Sequence, residues 1–370
     1  MSARFLTVVL ERAFNMRDGF GREIDYMRIS VIDSCNLNCY YCNPCDNNEH
    51  CHALNILSVK EVLCIVRAAT RLGIKHFRLT GGEPLLHPQL DEMVLQIKKI
   101  PGVSSVSLTT NAVLLAQHAK WLKEAGIDSI NVSLDTIDAS EYERITKKPL
   151  LEEVKHGINA AIECGIRVKI NVVLTPQTDV VALTRYVAKK GTDIRFIEMM
   201  PVGEGHTNGV EPYKKVIGTL SKLYGEPCRI NTEKTKEINS GNDKRKIPDN
   251  GPAEYYIFPE LGIRVGLIQA IHGKFCDTCN RIRVTADGRL MSCLGSSVTM
   301  DLVPDSWDFA DDVEKDFAIV RALRAAIKAK PRCHNFNDNA VTYTKTTETK
   351  TTEIEAAEVN AARNMSRIGG

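Results

Sequence analysis

Two groups of cysteines carry the strongest chemical signal in the sequence: Cys35-x3-Cys39-x2-Cys42 near the N-terminus, and Cys276-x2-Cys279-x13-Cys293 in the C-terminal third. Cysteine thiolates are the soft ligands that iron–sulfur clusters use. Three of them can hold three irons of a four-iron cluster and leave the fourth open to a small molecule, which four cysteines would not permit. Two other readings of the first group stay open on spacing. Cys39-x2-Cys42-x2-Cys45 opens like a bacterial ferredoxin run, although Glu49 stands where the fourth cysteine belongs. Cys42, Cys45, Cys51 and His52 would serve as a structural zinc set. The second group with a distant fourth ligand is also compatible with zinc.

The wider composition favours metal over disulfides. Twelve cysteines are many, and five fall between Cys35 and Cys51. A secreted framework spreads its cysteines through a small, loop-rich chain, whereas this one has 370 residues. The opening MSARFLTVVLERAF reads as a helix or strand rather than an export signal, so the chain is expected in the cytoplasm. No apolar run approaches the roughly 18 residues of a membrane span. A formal charge of +2 gives no bulk electrostatic case for nucleic acid or membrane. An anionic small molecule needs only a local cluster of cations.

The elements that must position these cysteines alternate strand and helix from about residue 26 to residue 200. Strands are expected at 27–32, 76–80, 105–110, 130–134, 168–174 and 194–199. Helices are expected at 59–72, capped by Ser58, and at 116–125, 151–164 and 180–189. Gly73, Gly126 and Gly165 fall where helices should stop. Repeated strand–helix units make a parallel sheet with right-handed crossovers. Six units are too few for a closed eight-stranded barrel, and a partial barrel or a doubly wound sheet both fit. Polar residues gather at the strand ends, as in Ser34-Cys35, Thr109-Thr110-Asn111 and Ser133-Leu134-Asp135, which favours a partial, six-unit TIM-type βα barrel with its chemistry at one mouth. The division expected is 1–203 for the barrel with an N-terminal extension and 204–370 for a C-terminal α+β region. In the latter, 233–252 reads as a surface loop, 255–258 and 263–270 as strands, and 281–285 with 289–293 as a hairpin turning at Asp287-Gly288. Residues 311–330 read as a helix and 342–352 as a solvated Thr/Lys/Glu run.

Gly81-Gly82-Glu83-Pro84 follows the second strand. Alone it is an ordinary strand-to-helix turn. Beside the Cys-x3-Cys-x2-Cys loop with Tyr41 before its last cysteine, it resembles the radical SAM superfamily. The resemblance implies a [4Fe-4S] cluster on Cys35, Cys39 and Cys42, and reductive cleavage of S-adenosylmethionine (SAM) to a 5′-deoxyadenosyl radical. In the second group, Arg281 and Arg283 flank Ile282 and share one face of a strand. Such a pair suits a phosphate or carboxylate, and equally a structural salt bridge.

Over nearly its whole length the chain is similar to the GTP 3′,8-cyclase (molybdenum cofactor biosynthesis protein A) family. That similarity includes Asp18-Gly19-Phe20-Gly21-Arg22, Arg195-Phe196-Ile197-Glu198 and the Gly369-Gly370 end. It implies a second [4Fe-4S] cluster on Cys276, Cys279 and Cys293, in a partial barrel of the radical SAM type, and the two cysteine sets are expected to face each other across the barrel mouth, roughly a substrate's length apart. It further implies conversion of GTP to 3′,8-cyclo-7,8-dihydro-GTP, through hydrogen abstraction at C3′ and attack on guanine C8. Tyr41, Gly82, Ser133 and Met200 then match SAM contacts. Arg28, Arg78, Thr109, Lys169, Arg281 and Arg283 match GTP contacts, with Arg281 and Arg283 catalytic as well. An external reductant and a downstream enzyme forming the cyclic pyranopterin become the expected partners, and a homodimer is compatible. The Gly-Gly tail is expected to reach the active site. Ala112 departs from the family's usual glycine, and Cys45, Cys51 and the 342–352 composition are atypical. The rival readings are a peptide-modifying radical SAM enzyme and a non-catalytic iron–sulfur or zinc protein.

Overall fold

The computed structural model describes residues 16–42, 55–201, 210–230, 251–296, 299–302, 312–334 and 336. The N-terminal stretch, Cys45, Cys51, His52, most of the 233–252 loop, the 342–352 run and Gly369-Gly370 lie outside the described residues.

The six expected strands form as β1 (Tyr26–Ser30), β2 (His76–Thr80), β3 (Ser105–Thr110), β4 (Ser129–Ser133), β5 (Val168–Val173) and β6 (Asp193–Ile197). They lie side by side in chain order, all parallel. Helices α1 (Val59–Arg71), α2 (Leu90–Lys99), α3 (Leu115–Glu124), α4 (Ala139–Thr146), α5 (Leu151–Glu163) and α6 (Val180–Lys189) fill the connections. Ser58 caps α1 as expected, in a reciprocal box with Glu61 (Ser58 N to Glu61 Oε2, 2.6 Å). Helices α2 and α4 go beyond the sequence expectation. Both are short, and α2 lies between Pro88 and Pro101, which read as loop punctuation. The buried stripe Leu90, Met93, Val94 and Ile97 is the helical spacing that marks it.

The C-terminal half extends the same sheet at both edges. After α7 (Gly218–Tyr224) come β7 (Cys228–Ile230), β8 (Glu254–Ile257) and β9 (Arg264–Ile268), and β9 pairs parallel with β6. Next, β10 (Arg281–Val284) pairs parallel with β1, and β11 (Arg289–Met291) and β12 (Thr299–Asp301) continue antiparallel. The final order is β12-β11-β10-β1-β2-β3-β4-β5-β6-β9-β8-β7. Eight neighbouring parallel strands therefore curl into the half-barrel, six from the repeated units and one added on each side. Helix α8 (Asp312–Lys328) packs on α1. Among the described residues no helix is long and apolar enough to cross a membrane.

The two faces of the sheet differ. Met27, Ile29, Phe77, Leu79, Val106, Leu108, Ile130 and Val132 point outward and are fully buried under the helices. Their alternates along the same strands, among them Arg28, Arg78, Ser107 and Asn131, line a cavity inside the curl. Branched apolar side chains usually fill the inside of a βα barrel. Here the inner face is polar and cationic, so the interior is built to be completed by a polar ligand.

Candidate active site

One cavity of about 830 Å³ gathers both cysteine triads and all the SAM and GTP residues expected from the sequence. Cys35, Cys39 and Cys42 line it, as do Cys276, Cys279 and Cys293. Tyr41, Gly82, Ser133 and Met200 line it, and so do Arg28, Arg78, Thr109, Lys169, Arg281 and Arg283. Its volume lies near the top of the roughly 300–1,000 Å³ range of small-molecule sites.

The two cysteine triads were expected to face each other across one mouth. They sit instead at opposite ends of the strands. The first triad follows β1, whereas Cys276 and Cys279 precede β10, and these two strands run parallel with Tyr26 opposite Arg281 and Arg28 opposite Arg283. Cys293 follows β11, which returns antiparallel to the same end. At about 3.3 Å per residue, the five residues of β1 keep the two ends roughly 15 Å apart.

The first triad is seated by the ends of neighbouring strands. Gly82 N donates to Ile32 O at 2.7 Å and Glu83 N to Ser34 O at 2.8 Å, so the Gly-Gly stretch runs against the chain leading to Cys35. A Cβ on Gly81 would lie 2.4 Å from Ile32 O, and one on Gly82 would lie 2.2 Å from Ser34 O. The glycines are thus required by this close approach. Glu83 is fully buried and accepts from Thr110 Oγ1 (2.6 Å), Asn111 N (2.7 Å) and Leu85 N (3.0 Å). Burial pushes its carboxyl up to about 7, against those three donors. Asn111 Nδ2 and Leu37 N both reach the Cys35 sulfur, at 3.8 and 3.5 Å. Tyr41 Oη donates to Asp135 Oδ2 at 2.5 Å, and Val173 N donates to Oδ1 at 2.8 Å; burial still lifts Asp135 to about 6.

Between the triads lies a row of cations set by strand register. Arg283, Arg28 and Arg78 occupy adjacent positions on β10, β1 and β2. Burial and then the charge of Arg283 push Arg28 well below the ordinary range, and burial with Arg281 brings Arg283 down to about 10. Arg78 donates from Nε to Tyr26 Oη and from Nη1 to Thr109 Oγ1 at 3.4 Å. Burial alone would raise the Tyr26 phenol, but Arg78 and Arg28 more than offset it and hold it low. Lys169 on β5 is 3% exposed, and Arg195 on β6 donates from Nε to Asn171 Oδ1 at 2.9 Å. Buried cations that depress one another call for a polyanion.

Both triads fit iron–sulfur clusters by donor type. Burial pushes the Cys35 thiol up to about 11 and Cys39 higher still, so binding of cluster iron would have to displace their protons to solvent. At Cys279, burial acts upward, but the charges of Arg281 and Lys330 outweigh it and hold the thiol low. Among the described residues no three His, Cys, Asp or Glu side chains gather around one point as a single ion requires. A four-iron cluster takes its thiolates at separate corners.

Sequence reasoning overlooked several contributors. Asn111 and Asp135 stood in strand-end segments it had marked only as polar. Arg22 and Glu198 lay in motifs noted without a role. Glu198 accepts from Ile271 N (2.7 Å) and His272 N (3.1 Å) and pairs with the His272 ring, anchoring the chain that enters the second triad. Lys330, 3% exposed, donates to Arg281 O and Ser292 O, and had no local sequence signal.

Residues 29–182 match the radical SAM superfamily, and residues 192–336 match Molybdenum Cofactor Synthesis C. A GTP 3′,8-cyclase of Clostridium perfringens (strain SM101 / Type A) is 35% identical over 324 residues, covering 87% of this chain and 95% of the relative. A GTP 3′,8-cyclase of Pelotomaculum thermopropionicum is 36% identical over 327 residues, covering 86% and 95%. Among solved structures, Streptococcus suis SuiB bound to S-adenosylmethionine superposes with a TM-score of 0.54 over 82% of this chain and 68% of its own. At 14% identity that likeness speaks for the fold alone.

Proposed function

The chain belongs to the GTP 3′,8-cyclase family, and on that premise we infer that it converts GTP to 3′,8-cyclo-7,8-dihydro-GTP in molybdenum cofactor biosynthesis. The observation that carries this reading is one cavity with a cysteine triad at each end and a row of arginines between. Cys35, Cys39 and Cys42 would hold one [4Fe-4S] cluster, and Cys276, Cys279 and Cys293 the other. When bound, the first cluster and SAM would supply the radical chemistry that abstracts hydrogen at C3′ of GTP.

The chain's own residues bind, orient and exclude water. Tyr41, Gly82, Ser133 and Met200 line the end next to the first triad and are assigned to SAM. Arg28, Arg78 and Arg283 are assigned to the triphosphate, where fixed guanidinium forks meet phosphate oxygens without reorganisation. Thr109, Lys169 and Arg281 complete the GTP set, and Arg281 with Arg283 serves catalysis by stabilising charge beside the second triad. Holding C3′ in place between the two ends turns a bimolecular encounter into a directed one. In this reading the chain divides into a barrel part, 1–203, and a C-terminal part, 204–370, with GTP bridging the two. An external reductant, a downstream enzyme forming the cyclic pyranopterin, a homodimer and a cytoplasmic setting complete the reading; nucleic acid and membrane play no part in it.

Anaerobic reconstitution followed by incubation with SAM, reductant and GTP tests it. The expected result is 5′-deoxyadenosine formed together with GTP loss, with deuterium from C3′ of labelled GTP appearing in the 5′-deoxyadenosine. Release of 5′-deoxyadenosine with GTP intact would sink the cyclase assignment. Protein holding zinc and no iron would sink the radical reading as well.

A further inference from the structure

Residues 271–280 bring Cys276 and Cys279 to the cavity with no strand and a single 3-10 turn, Cys276–Thr278. A loop with so little ladder of its own must find other partners for its polar groups. Arg22 supplies them from the other end of the chain. Its Nη1 donates to Cys276 O at 2.6 Å and Arg332 O at 2.8 Å, and its Nη2 donates to Pro331 O at 2.6 Å. Asp18 Oδ2 holds the Nε at 2.5 Å, and Asp18 Oδ1 is itself fixed by Phe20 N at 2.8 Å and Arg22 N at 3.0 Å. Both side chains are almost completely buried. On the opposite flank, Lys330 Nζ donates to Arg281 O at 2.8 Å and Ser292 O at 2.6 Å. It thereby joins β10, just after Cys279, to the chain just before Cys293, and it also reaches the Cys279 sulfur.

We propose that Arg22 and Lys330 form a two-cation brace that seats the second cysteine triad for its cluster. Arg22 fixes the Cys276 side, and Lys330 fixes Cys279 against Cys293. This rests on reading that triad as a cluster site. Both are positioning residues, acting through the cysteine-bearing backbone. The choice of cations has a physical reason beyond geometry. Buried cations are costly unless their donors are used and their charge is answered. Carbonyls answer the donors, Asp18 answers the charge of Arg22, and a thiolate-bound cluster would answer that of Lys330. A cation donating to a cluster sulfur also favours the reduced state and raises the potential.

The test uses full-length protein, reconstituted anaerobically, in wild-type form and as Arg22→Lys and Lys330→Gln. Arg22→Lys keeps the charge and removes the fork. It should load the first cluster and lose the second, so iron and acid-labile sulfide fall to about half, one of two equal clusters. SAM cleavage driven by dithionite should persist. Lys330→Gln should load both clusters, with the electron paramagnetic resonance signal of the second appearing only at a more negative potential. The brace is overturned if Arg22→Lys retains wild-type iron, if Lys330→Gln leaves the potential unmoved, or if either variant loses both clusters together. Wild-type protein that loads both clusters yet leaves GTP unchanged would sink the cyclase reading and leave the brace standing.

Discussion

The first cysteine triad is held by the sheet, and the second by side chains from distant parts of the chain. Around the first, Val31 N bonds Thr80 O, Gly82 N bonds Ile32 O and Glu83 N bonds Ser34 O, so the ladder of β1 and β2 runs on past the strand ends. Around the second, Arg22, Glu198 and Lys330 reach in from positions separated by up to 310 residues from their partners. A site on strand ends inherits the order of the sheet with little further help. A site placed before a strand needs ties of its own, and here those ties are buried charges.

The sharpest way to break this comparison is to remove one triad at a time. Cys35→Ser should abolish 5′-deoxyadenosine formation. Cys276→Ser should retain SAM cleavage while GTP consumption is lost, both followed by chromatography of products. If Cys276→Ser also ends SAM cleavage, the two ends of the cavity do not act separately.

A second prediction probes the strand-end seating. Gly82→Ala drives a methyl against the Ser34 carbonyl, where backbone must move, and should cost about 4 kcal/mol in urea unfolding. Gly218→Ala, where nothing lies within 4 Å, should leave stability unchanged or slightly higher. Equal effects at the two positions would remove the packing argument.

Glu83 gives a pH-dependent version of the same test. Its carboxyl rises from 4.5 to about 7 on folding, so the folded state binds the proton more tightly. That stability is fully present below about pH 4.5 and is lost as pH rises through about 7, roughly 3 kcal/mol in all. Unfolding of the cluster-free protein should show this slope, and Glu83→Gln should flatten it. An unchanged slope in the variant would assign the dependence to other groups.

The smallest effect is expected at Ala112. It sits at φ 66° with its side chain fully buried. Ala112→Gly relieves left-handed strain but gives up a buried methyl and adds freedom to the unfolded chain. The net change in thermal unfolding should stay within about 1 kcal/mol. A larger shift, or altered SAM affinity, would show that this position shapes the pocket.

Much of this molecule was legible because it repeats. Each strand of the six units alternates apolar and polar residues, and each is followed by a helix with its own cap or stop, as Ser58 and Gly73 illustrate. The cysteine spacings and the Gly-Gly-Glu-Pro stretch are local patterns, readable without the fold. Helix α2 was hidden by flanking prolines, although its apolar spacing was intact. The brace was not readable at all. Nothing near Lys330 marks it as a partner of Arg281 and Ser292, and nothing in Asp18-Gly19-Phe20-Gly21-Arg22 says which carbonyls it will meet.

The sequence by itself determined which chemistry is possible: thiolates in threes, arginines on strands, glycines where backbones meet. Those are properties of residue type and short spacing, and they survive without coordinates. Only the tertiary structure decided that the triads occupy opposite ends of one cavity rather than one mouth. That outcome follows from β10 joining the sheet parallel to β1, so that a loop before one strand and a loop after the other are kept a strand's length apart. Register across strands distant in sequence is a long-range property, and it also sets Arg283, Arg28 and Arg78 in a row.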